Sequence, residues 1–202
     1  MDAIAFPYRY QNLVGELPKI REWPKRPLRR VSHMLYHRNT VADTPEEIAR
    51  WYIEHKRWPS CPYHFMIDWV DGAPLVYQTA ALRDIVWGVR FYNACGIHIG
   101  FNEDYRTVRP REAMLAAGAC LASDLLVWFA FERGQTRGRG TIKVQTHTEA
   151  ALALSPKRWM DVKKCPGKHF DADDFRFRIG RIINGIEHDL PVLTVGEPWW
   201  TV

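Results

Sequence analysis

Three side chains that can ligate a metal each stand at the end of a segment. His37 closes the apolar stretch Met34-Leu35-Tyr36, His147 closes Ile142-Lys143-Val144-Gln145-Thr146, and Cys165 lies within Lys163-Lys164-Cys165-Pro166-Gly167. Two imidazoles and a thiolate fill three positions of a zinc ion and leave the fourth for water, the pattern of catalytic rather than closed structural zinc. Zinc held in this way lowers the pKa of its water to roughly 7 and polarises a carbonyl. The eight histidines allow many such triples, so spacing alone selects none of them. His33 points to the same face of a strand as His37 and competes with it as a ligand. The apolar residues directly before His37, and Thr40 after it, favour His37. His64, His98 and His169 read as structural, and Cys61, Cys95 and Cys120 as small buried apolar residues.

The elements that must position these groups follow from local patterns. Residues 31–37 read as a strand. Thr44-Pro45-Glu46-Glu47 is a helix start, with a capping Thr, Pro at the first helical position and Glu at the capping-box position. Ile48, Trp51, Tyr52 and His55 follow at helical spacing, which predicts a helix ending near Arg57. Residues 63–70 and 75–79 read as strands joined by the turn signal Asp71-Gly72. A further strand is predicted over 96–101, a long apolar helix over 109–131, a short strand over 141–145 and a last helix over about 170–184. Residues 150–159 predict an inserted turn or short helix. Strands alternating with helices predict an α/β fold, a sheet covered by helices. Residues 1–30 read as an irregular N-terminal arm, 31–185 as one catalytic domain and 186–202 as a C-terminal tail.

Composition narrows the class. The chain has 202 residues, 47% apolar and 25% charged, the balance of a globular domain large enough to form its own core. No run approaches the length of purely apolar sequence that a membrane span needs, so none is expected. Residues 1–10 show no basic and apolar leader pattern, so no secretory signal is expected. Four scattered cysteines are not a disulfide framework and point to a reducing compartment. A net charge of +5 permits an anionic partner without requiring one.

The order of the segments resembles the zinc-dependent N-acetylmuramoyl-L-alanine amidases, the family of phage amidase endolysins and peptidoglycan recognition proteins. Residues 31–37 resemble the family's first strand, which ends on a zinc histidine. Pro62-Tyr63-His64-Phe65-Met66-Ile67 resembles its Tyr-His-Phe strand, followed by the matching Asp71-Gly72 turn. Asn93 and Gly96-Ile97-His98-Ile99-Gly100 resemble its next strand, residues 144–147 the strand carrying the second zinc histidine, and residues 163–167 its closing motif. The resemblance implies a central mixed β-sheet flanked by helices, with zinc on His37, His147 and Cys165. It implies hydrolysis of the amide between N-acetylmuramic acid and L-alanine of the stem peptide. Tyr63 and Lys163 then serve as donors to the developing oxyanion. Glu149, the carboxylate nearest His147 in sequence, is the candidate general base.

The implied partner is peptidoglycan, with no nucleic acid, no membrane insertion and a monomeric state. The implied setting is a phage or prophage lysin, held in the host cytoplasm until release or delivered by the virion, and acting at the cell wall. The alternative is a peptidoglycan-binding module on the same fold, whose non-catalytic members typically lose the Cys ligand. The chain departs from the family at Trp87-Gly88, where many members carry Trp-His, in a short gap from Asn93 to Gly96, and in a long stretch from His147 to Cys165. These departures bear on substrate fit. The basic loop around Arg133, Arg137 and Arg139 reads as solvated, and Trp199 and Trp200 could pack on the domain or form a partner surface.

Overall fold

The computed structural model describes residues 8–132, 142–154 and 165–185. Lys163, the 133–141 loop and the tail with Trp199 and Trp200 lie outside the described residues. The sheet has six strands: β1 (Arg9–Asn12), β2 (His33–Arg38), β3 (Phe65–Val70), β4 (Ala73–Gln78), β5 (Gly96–Phe101) and β6 (Lys143–Thr146). Their spatial order is β1-β4-β3-β5-β2-β6. Among the described strands only the β3/β4 hairpin is antiparallel, and the other strand pairings are parallel. The result is a mixed sheet flanked by α1 (Pro45–Lys56), α2 (Glu112–Glu132), α3 (His147–Leu154) and α4 (Ala172–Ile183).

The local signals act as expected. At the start of α1 the Thr44 hydroxyl accepts from the Glu47 N–H, and the Glu47 carboxylate accepts from the Thr44 N–H. Asp71 and Gly72 both take positive φ, 50° and 79°, which the tight turn of a two-residue hairpin requires. Alternation along the strands then divides the sheet into two faces. Met34, Tyr36, Ile67, Ile97, Ile99 and Phe101 turn one way and form the main core with α2 and α4. Leu35, His37, Met66, His98 and Gly100 turn the other way, where Met66 packs with Ile48 and Ala49 of α1. Gly118 lets α2 lie close on the sheet, since a Cβ there would stand 2.7 Å from Phe101 Cζ.

Three expectations change. Residues 9–12 form a strand within what reads as an irregular arm. Their sequence, Arg-Tyr-Gln-Asn, has no apolar alternation, because an exposed edge strand is held by its backbone bonds to β4. The same N-terminal segment buries Leu17, Trp23 and Arg26, so it is part of the folded body. Helix α3 starts at His147 itself, earlier than the expected 150. Finally, α2 is long and apolar enough to cross a membrane, but 56% of that window is buried within the domain. Its composition is that of a core helix packed on the sheet and α4.

Candidate metal centre

Strands β2 and β6 are adjacent and parallel, with Tyr36 opposite Thr146. The residues that follow, His37 and His147, therefore emerge at the same C-terminal end of the sheet, their rings 5.0 Å apart. In parallel sheets this end is where ligands gather. Cys165 completes the group: one ligand atom from each of His37, His147 and Cys165 lies within 4.8 Å of the others. A closed tetrahedral zinc with bonds of about 2.0–2.3 Å holds its ligand atoms roughly 3.3–3.8 Å apart. The trio is thus close to that shell, and its donor types fit zinc. His37 is almost fully buried, and burial, then the neighbouring His147 and His98, push its pKa well below the ordinary 6.5. The neutral imidazole this favours is the form that ligates.

Each candidate ligand is held by its surroundings. His147 occupies the first position of α3, whose cap is a reciprocal box. The Thr146 hydroxyl accepts from the Glu149 N–H at 3.2 Å, and the Glu149 carboxylate accepts from the Thr146 N–H at 2.7 Å. Arg176 of α4 donates to both Glu149 oxygens at 3.1 Å. Glu149 is therefore committed to the cap and to Arg176, and it is not among the residues lining the cleft. Cys165 is pinned by Thr148, whose hydroxyl accepts from the Cys165 N–H at 2.7 Å and donates to its carbonyl at 3.1 Å. Arg38 donates to the Pro166 carbonyl at 3.0 Å and pairs with Asp104 at 3.4 Å. Gly167 lies against the Tyr105 backbone, where a Cβ would come within 2.2 Å of the carbonyl carbon.

Tyr63 stands just before β3, its ring over Gly100, where any Cβ would meet ring atoms at 3.1 Å. Because Gly100 is in register with His37, the phenol comes beside the trio, 5.6 Å ring to ring from His37. Its hydroxyl donates to the Arg38 carbonyl at 3.4 Å, and the Tyr63 carbonyl accepts from the Thr79 hydroxyl at 2.8 Å. Burial pushes the phenol pKa well above its usual value, so it stays a donor at neutral pH.

The competing histidines are placed elsewhere. The His33 ring contacts the Ser32 hydroxyl at 2.8 Å and packs on Tyr92. His64 is buried in the core, its Nδ1 accepting from the His98 N–H at 3.0 Å and its Nε2 lying 3.0 Å from the Asp84 carbonyl. His98, by contrast, reaches the trio: its Nδ1 is 3.0 Å from Nε2 of His37.

The trio lies in a cleft of about 480 Å³ with an aromatic wall of Trp51, Tyr52, Trp58 and Trp87. Tyr52 and Trp58 stack at 4.9 Å, and Lys56 sits over Trp51 at 5.8 Å. The sequence reasoning missed the contact to His98, this wall and the braces Thr148 and Arg38. One signal was available for the local part: Thr146-His147-Thr148-Glu149 is a capping-box pattern.

The N-acetylmuramoyl-L-alanine amidase family profile matches residues 27–168. Among solved structures, the chain is similar to amidase LysC from Clostridium intestinale URNW, with TM-score 0.61 and 15% identity over 85% of this chain and 97% of that one. It is similar to the Ph2119 endolysin of a Thermus scotoductus bacteriophage, with TM-score 0.59 and 18% identity over 85% and 99%. It is also similar to Drosophila peptidoglycan recognition protein LB, with TM-score 0.51 and 18% identity over 93% and 99%. Among curated proteins none matches the chain by sequence. The profile covers well over half the chain, which therefore belongs to the N-acetylmuramoyl-L-alanine amidase family. The polymer this family acts on is peptidoglycan.

Proposed function

We propose that the protein is a zinc-dependent amidase that cleaves the bond between N-acetylmuramic acid and L-alanine of the peptidoglycan stem. The observation that carries this is the convergence of His37, His147 and Cys165 in one cleft beside Tyr63. Bound by these three residues, zinc supplies an activated water and a Lewis acid for the scissile carbonyl. His37 and His147 hold their places through β2 and the α3 cap. Tyr63, kept protonated by burial, donates toward the oxygen that gains charge, an effect that is usually a large part of catalysis. Lys163, outside the described residues, is proposed as the second donor. Glu149 supports His147 through the cap, a role its contacts favour over that of general base.

With the fold it shares with a phage endolysin in view, we read the protein as a lysin of phage or prophage origin, and propose that it is a monomer held in the host cytoplasm until release, or delivered by the virion, and acts at the wall. A recognition-only role has support in the shared fold of peptidoglycan recognition proteins solved with tracheal cytotoxin. Cys165 favours the enzyme. Digestion of purified muropeptides decides between them. The wild type is expected to release new L-alanine amino termini, and Cys165→Ser none. A wild type that binds zinc yet releases no amino termini from any peptidoglycan establishes the recognition role instead.

A further inference from the structure

We propose that His98 is the outer partner of His37, accepting a hydrogen bond from Nε2–H and thereby holding the tautomer that offers Nδ1 to the metal. The inference rests on the zinc reading above. Its basis is the buried contact of 3.0 Å between His37 Nε2 and His98 Nδ1. A neutral imidazole carries one proton, so a histidine that ligates through one nitrogen bears its proton on the other. With Nε2 engaged by His98, Nδ1 is the atom His37 offers. Outer partners of this kind orient ligating histidines and are more often carboxylates or carbonyls. Here an uncharged, fully buried ring does the work.

Three observations show that the His98 ring is placed for this contact. Its Nε2 is buried with no hydrogen-bond partner among the described residues, so among them the bond to His37 is the one its side chain makes. Its backbone is clamped by His64, which donates its N–H to the His98 carbonyl at 2.8 Å and takes the His98 N–H on Nδ1 at 3.0 Å. The ring fits only because residue 88 is glycine: a Cβ there would stand 2.2 Å from His98 Nδ1. The glycine at this departure from the Trp-His pattern makes the room that the His98 imidazole fills.

The role is one of positioning, so the test reads the metal and the protons as well as turnover. Zinc affinity of the full chain is measured by competition with a chromophoric chelator for wild type, His98→Leu and His98→Asn. Leu removes the acceptor, whereas Asn keeps an oxygen near the Nδ1 position. His98→Leu is expected to bind zinc about 10–100-fold more weakly, with His98→Asn recovering most of the loss. In the zinc-loaded wild type, long-range proton–nitrogen spectra are expected to show both His37 and His98 protonated on Nε2. A His98 ring protonated on Nδ1, or a His98→Leu affinity equal to wild type, overturns the role of His98 while leaving the zinc site standing. Equal losses in Leu and Asn overturn it as well. A wild type that binds no zinc overturns the metal reading and this inference together. The spectra decide the matter even if His98→Leu does not fold.

Discussion

On β2, Met34 and Tyr36 face the α2 and α4 layer, while Leu35 and His37 lie on the opposite face, Leu35 packed against Val89 and Ala150 and His37 lining the cleft. On β5, Ile97, Ile99 and Phe101 face that same apolar layer, while His98 and Gly100 are buried on the side of the sheet that carries the cleft. The two faces alternate residue by residue, yet they are stabilised differently. The apolar face gains from area and close packing, which many similar side chains could supply. On the cleft side three groups are placed by specific neighbours: His98 for His37, Gly100 for the Tyr63 ring, Gly88 for His98. A strand can thus carry chemistry on one side only because the other side is dry and well packed.

The sharpest way to break this contrast is to damage the apolar side. Phe101→Ala removes a fully buried ring that touches Tyr36, Tyr105, Phe170 and Phe175. Urea unfolding should show a loss of about 3–5 kcal/mol, with unchanged zinc content in the fraction that remains folded. Tyr63→Phe acts on the other side. It should lower the rate of amide hydrolysis by about 10²–10³-fold, roughly 2.7–4 kcal/mol of barrier, with zinc content unchanged. A variant that keeps full activity removes Tyr63 from the catalytic group.

Acid should expose the polar face selectively. Burial holds the pKa values of His37, His64 and His98 well below 6.5 in the folded chain. The unfolded chain takes up protons first, so this stabilisation is complete above about pH 6.5 and is lost as pH falls below it. Each histidine should contribute a slope of about 1.4 kcal/mol per pH unit in the metal-free protein, measured by denaturation between pH 7 and pH 5. A flat profile there would mean that the buried histidines are solvated. The smallest effect is expected from the cap. Thr146→Ala should cost about 1 kcal/mol and weaken zinc binding through His147, as seen by chelator competition.

How much of this was legible in the sequence depended on distance along the chain. The α1 capping box, the Asp71-Gly72 turn and the β5 span are set by neighbours within four residues, and they stand where the pattern puts them. Strand β1 was not legible, because a polar edge strand carries no period and is fixed by pairing to β4. Of the site, the trio was legible as residue types at segment ends, helped by the family resemblance. The roles of His98 and Gly88 were not. They depend on β5 lying beside β2 in a parallel register, a fact of sheet order that no local signal contains. Glu149 shows the converse: its nearness to His147 is plain in the sequence, whereas the bonds of its carboxylate to the cap and to Arg176 of α4 are set by the fold.

We propose above all that His37, His147 and Cys165 hold one metal ion. The most direct test of this proposal is the zinc content of the purified chain after dialysis, measured for wild type and Cys165→Ser. The expected result is about one zinc per wild-type chain and little or none in the variant, with both equally folded. Zinc retained equally by Cys165→Ser, or absent from the wild type after dialysis against excess zinc, would contradict it.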